Sequence, residues 1–154
     1  MSIKVRALSL LLPFSRPMTL AVRRRASATL RPTERELLSI LRPGVFHGWR
    51  SFWSSQPVFG PTGPALRLSL HVARGRDLVR PVVGFPPRYR EIAHALRPEP
   101  TWVAWSYAGD DGRSLSFDGL VHTGERFVWL PSPFFYLDPA ALARPLAAVE
   151  HWAD

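Results

Sequence analysis

Residues 101–130 read TWVAWSYAGDDGRSLSFDGLVHTGERFVWL, and this run decides the fold. Residues 101–107 are rich in aromatic and β-branched side chains, the composition of a strand. The tetrapeptide Gly109-Asp110-Asp111-Gly112 is a strong hairpin signal. Leu115 and Phe117 then alternate with serines as a second strand. Thr123-Gly124-Glu125 turns the chain into a third, over 127–130. Pro131 and Pro133 end the run, because proline cannot donate to a sheet ladder. The reading is a three-stranded antiparallel meander.

Working towards the N-terminus, Leu66, Leu68, Leu70 and Val72 alternate with Arg67, Ser69, His71 and Ala73, the period-2 pattern of a further strand. Residues 74–77 read as a turn, and 78–85 as a short edge strand interrupted by Pro81. Pro86 and Pro87 suit the first turn of a helix over 88–96, with Tyr89, Ile92, Ala93 and Leu96 facing inward. Thr33 and Glu36 have capping-box spacing, which predicts a helix over 34–41 closed by Pro43-Gly44. Residues 54–64 carry too much proline and glycine for a regular element. Beyond the meander, Asp138 and Pro139 can open a C-terminal helix through Leu142, Leu146 and Val149, kinked at Pro145 or split there into two short helices. The fold class is α+β: an antiparallel sheet of four to six strands with two or three helices packed on one face.

The chain has 154 residues, the size of one domain, and 46% of them are hydrophobic, enough for a core without covalent staples. There is no cysteine, which excludes disulfides, thiolate zinc sites and cysteine nucleophiles and fits a reducing compartment.

The net charge of +8 is unevenly placed. Lys4, Arg6, Arg16, Arg23, Arg24, Arg25 and Arg31 precede the first acid, Glu34, and from there 13 basic residues face 12 acidic ones. The chain therefore divides into a basic leader over 1–33 and a nearly neutral α+β domain over 34–154. Three expectations attach to the leader. Ile3, Val5 and Ala7 alternate with Lys4 and Arg6, so residues 3–12 and 18–23 read as strands of a hairpin. The arginine-rich, acid-free composition also suits a mitochondrial presequence, which would place the protein in the matrix instead of the cytoplasm. Met18 offers a second start position. The apolar run over 7–14 contains Pro13 and is too short to span a bilayer.

No catalytic motif stands out. The five histidines are scattered, and Glu91 with His94 supplies too few ligands for a metal site. No serine lies in a strand-turn-helix elbow. The loop Gly60-Pro61-Thr62-Gly63-Pro64 lacks the lysine of a phosphate loop, and its prolines remove amide donors. The expectation is therefore a protein that is not an enzyme and holds no metal and no cofactor.

Phe46, Trp49, Arg50, Phe52 and Trp53 are the candidate partner-binding residues, since aromatic and arginine side chains anchor protein interfaces. The competing reading buries these rings in the core. A non-enzymatic protein-binding module is the leading function; a small immunity or antitoxin-like protein exemplifies the class. The first alternative is nucleic-acid or ribosome association through Arg16, Arg23, Arg24, Arg25 and Arg31, driven by phosphate contacts. The second is a small enzyme whose acid-base pair is assembled only in three dimensions. The pattern sets no oligomeric state.

Overall fold

The computed structural model describes residues 1–16, 18–42, 53, 58 and 67–135. Four strands form one sheet in the order β1-β2-β3-β4, every pair antiparallel: β1 Arg67–Arg74, β2 Thr101–Ala108, β3 Ser114–His122 and β4 Phe127–Trp129. The last three are the expected meander. β1 pairs with β2 along its whole length, from Arg67 opposite Ala108 to Arg74 opposite Thr101. Among the described residues the α-helices are α1 Ile3–Leu11, α2 Leu20–Ala28, α3 Glu34–Ile40 and α4 Tyr89–Ile92. The α+β class holds, with more helices than the sequence suggested, and α1 and α4 pack on opposite faces of the sheet instead of one.

β2 is the centre of the core. Trp102, Val103, Ala104 and Trp105 are all buried, so both faces of the strand are covered at this point. Strand alternation sends Trp102 and Tyr107 to opposite faces. Trp102 meets the Tyr89 ring of α4 edge-on at 5.7 Å. On the other side, the Tyr107 hydroxyl donates to the Leu11 carbonyl of α1 at 2.9 Å. Trp105 and Phe117, register partners on β2 and β3, stack at 5.6 Å.

The pairing of β2 with β3 shifts between Val103 and Trp105. At this irregularity Gly119 adopts a φ of +84°, and a Cβ there would fall onto the Leu130 carbonyl oxygen. The kink brings the chain after β4 against β3, where the Leu130 amide donates to the Gly119 carbonyl at 2.6 Å.

Two strand expectations are corrected. Residues 3–12 are helical, and the second stretch enters α2 at Leu20, with Thr19 as its extended N-cap. Period-2 alternation over five residues coincides with part of a helical pattern, and burial follows Ala7, Leu11 and Phe14 at spacings of four and three. Ser2 and Thr19 start the two helices, their side-chain oxygens accepting from the Val5 and Val22 amides at 3.2 Å each. Ala7, Leu11, Phe14 and Leu30 belong to the same core as the sheet residues, so the basic segment is built into the fold. Residues 78–85 are likewise not a strand. A 3-10 turn spans Gly75–Val79, closed by the Arg74 amide donating to the Asp77 carboxylate at 3.2 Å, and Pro81 follows.

The Thr33–Glu36 capping box is present: the Glu36 amide donates to the Thr33 hydroxyl at 3.1 Å, and the Thr33 amide to the Glu36 carboxylate at 3.0 Å. The end of α3 is tied to the chain after α4 by the Arg97 amide on the Ile40 carbonyl, 2.8 Å, and the Arg42 amide on the Ala95 carbonyl, 2.9 Å. The C-terminal helix expected from Asp138 lies outside the described residues. Among them, no helix is long and apolar enough to cross a membrane.

Candidate functional site

The segment between β1 and β2 cannot enter the sheet, because Pro81, Pro86 and Pro87 deny it a continuous ladder of donors. It folds as a turn instead. The Phe85 amide donates to the Val82 carbonyl at 3.1 Å, and the Tyr89 amide to the Pro86 carbonyl at 3.1 Å, which starts α4. Between these turns lies a cleft of about 180 Å³. Leu78, Phe85 and Tyr89 form its buried apolar floor, Val82 and the prolines its walls, and Arg80 and Arg90 stand at its edge.

The floor is rigid for identifiable reasons. Tyr89 packs edge-on against Phe85 at 5.6 Å, Trp102 at 5.7 Å and Phe134 at 5.6 Å. Its hydroxyl donates to Asp118 Oδ1 at 2.6 Å. Asp118, buried on β3, also accepts from the Ser132 amide at 2.7 Å and the Ser132 hydroxyl at 3.1 Å. Ser132 holds a φ of +42°, so the carboxylate secures a backbone turn that serine adopts only under constraint. The Trp129 indole donates to the Asp118 carbonyl at 3.0 Å. Burial pushes the Asp118 carboxyl above the usual carboxylate range, against the bonds from Tyr89 and Ser132 that pull it down. Outside this cluster, the Arg88 guanidinium lies 4.7 Å over the Phe134 ring.

Chemically, the arrangement is a fixed apolar socket with cationic edges. Asp118 sits behind Tyr89 with its oxygens already bonded to protein donors, and among the described residues the cleft lining offers no serine, histidine or carboxylate to a bound molecule. Among the described residues no group of three or more His, Asp and Glu could hold a metal ion.

Of the residues singled out from sequence, Phe46, Trp49, Arg50 and Phe52 lie outside the described residues. Trp53 is 5% exposed, in the core, edge-on to Trp129 at 6.1 Å. Arg23 is also buried, at 6% exposure, whereas Arg16, Arg24, Arg25 and Arg31 are exposed on and around α2. The cleft was missed in the sequence. Its signal is the run Val82-Val83-Gly84-Phe85-Pro86-Pro87, apolar side chains in a segment whose prolines keep it out of a sheet. Comparison of the chain with protein-family models, curated proteins and solved structures returns no match.

Proposed function

We propose that the protein is a non-enzymatic protein-binding module whose cleft receives one apolar side chain of a partner with carboxylates beside it. The carrying observation is the cleft's size and lining. Cofactor and drug-sized ligands need pockets of roughly 300 Å³ or more. A volume of about 180 Å³ is closer to the cavity of about 150 Å³ that accepts a single benzene ring. That suits a buried anchor residue of a partner better than a metabolite.

The surroundings support the same reading. Val79 and Val83, beside the cleft, are 64% and 79% exposed. Residues 74–97 carry Arg74, Arg76, Arg80, Arg88, Arg90 and Arg97 against only Asp77 and Glu91. Apolar side chains ringed by arginine match the composition of interface cores and their rims. Cysteine-free composition suits the cytoplasm, and that compartment belongs to the same proposal.

Panning a displayed peptide library on the full chain tests it. The expected winners pair a leucine or aromatic residue with aspartate or glutamate. Their affinity should fall by about tenfold or more in Val83→Asp and in Arg90→Glu, with unchanged thermal melting. Peptides without an acidic-apolar pairing, or peptides indifferent to both substitutions, would overturn the reading.

A further inference from the structure

We propose that α1 and α2 form a peripheral docking surface for an anionic lipid bilayer, on side chains separate from those of the cleft. Ten large apolar side chains are exposed among the described residues, and five of them, Met1, Val5, Leu12, Leu20 and Val22, fall within the first 22 positions. They are between 38% and 92% exposed. Interleaved with them are Lys4, Arg6, Arg16, Arg24 and Arg25, all exposed, and no acid precedes Glu34.

Helix geometry and anchoring turn this composition into a surface. At 100° per residue, Val5, Ser9 and Leu12 lie opposite Ala7 and Leu11, which are fully buried. Lys4 and Arg6 flank that outward stripe. In α2, Arg23 and Ser27 face inward, leaving Leu20, Val22, Arg24 and Arg25 outside. The Tyr107 hydroxyl ties the end of α1 to the sheet through the Leu11 carbonyl, and α2 turns Arg23 and Ser27 inward, both buried. The outward faces are therefore held in place by the core before any partner arrives.

The occupant follows from needing both chemistries at once. A nucleic acid rewards the cations through its phosphates but leaves Val5, Leu12, Leu20 and Val22 in water. The interface of an anionic bilayer takes both, with headgroup phosphates against lysine and arginine and the acyl boundary against the apolar side chains. Helices of nine residues lie in that interface and do not cross it.

Vesicle co-sedimentation of the full chain provides the test, using phosphatidylcholine alone and phosphatidylcholine mixed with phosphatidylglycerol. Binding is expected on the mixed vesicles only, weakening as salt rises from about 0.1 M to about 1 M. Leu12→Ser with Leu20→Ser, and separately Arg24→Ser with Arg25→Ser, should each weaken it about tenfold or more while melting temperatures stay put. Val83→Asp should leave it unchanged, which separates this surface from the cleft. Failure to bind mixed vesicles would overturn the proposal. So would vesicle binding indifferent to the leucine substitutions, or a duplex oligonucleotide that binds when vesicles do not.

Discussion

The Arg126 guanidinium grips the Glu36 carboxylate in a two-point pair, Nε to Oε2 at 2.7 Å and Nη2 to Oε1 at 2.8 Å, across 90 positions of sequence. The same guanidinium donates to the carbonyls of Thr29 and Arg31 at 2.7 and 2.8 Å. One side chain from the turn before β4 thus secures the connection between α2 and α3, while Glu36 also completes the capping box of α3. The planar fork of arginine is what permits four bonds at once; lysine could not replace it.

This pair predicts an acid-labile contribution. The Arg126 bond holds the Glu36 carboxyl down at about 2 from an ordinary 4.5. A depressed folded-state value means the stabilisation is complete above pH 4.5 and drains away as pH falls towards 2. Taken at face value the shift converts to roughly 3 kcal/mol. The Arg126 side chain is 42% exposed, and solvent screening reduces the expected contribution to about 1–2 kcal/mol. Urea denaturation of Glu36→Gln across pH should show that deficit at neutrality and almost none near pH 2.

Gly119→Ala is expected to be far more damaging than most alanine substitutions. The φ of +84° disfavours a side chain, and the added methyl would meet the Leu130 carbonyl oxygen, a backbone atom. That carbonyl cannot retreat easily, because the Leu130 amide is bonded to Gly119 itself. Strain and overlap together should cost about 3 kcal/mol or more, measured as a loss of melting temperature or of soluble protein.

Local signals made the meander and α3 legible: alternation, two glycine turns and a capping pair three residues apart. They failed at the N-terminus, where Ile3, Val5 and Ala7 satisfy a strand period by coincidence and only the longer recurrence of Ala7, Leu11 and Phe14 marks a helix. They failed again at the cleft, because its rigidity comes from a bond between Tyr89 and Asp118, 29 positions apart. Nothing around Asp118 in sequence distinguishes it from a solvated strand residue.

Asp118 yields a pH dependence of the opposite sign to Glu36. Its carboxyl is raised by burial, so the unfolded chain ionises near the ordinary 3.8 while the folded one still holds its proton. Stability from this group is greatest below that value and falls as pH climbs through it. Asparagine keeps the shape and an acceptor for Tyr89 and Ser132 without the buried charge. Asp118→Asn should therefore gain on the parent protein as pH rises from about 4 to 8, read from paired denaturation curves. Asp118→Ala leaves the Tyr89 and Ser132 donors unmatched and should lose about 1–3 kcal/mol throughout.

Gly84→Ala separates the cleft from the fold. Gly84 has a φ of +88°, and its missing Cβ leaves room for the His71 ring of β1. A methyl group there pushes the loop off the sheet, and with it Phe85, whose buried ring helps form the cleft floor. The loop is superficial, so the global cost should stay near 1–2 kcal/mol. The local effect should be larger: faster hydrogen exchange at the Phe85 amide and loss of any acidic-apolar peptide selected on the parent chain. Unchanged exchange and unchanged peptide affinity would mean that the sheet does not brace the cleft through His71.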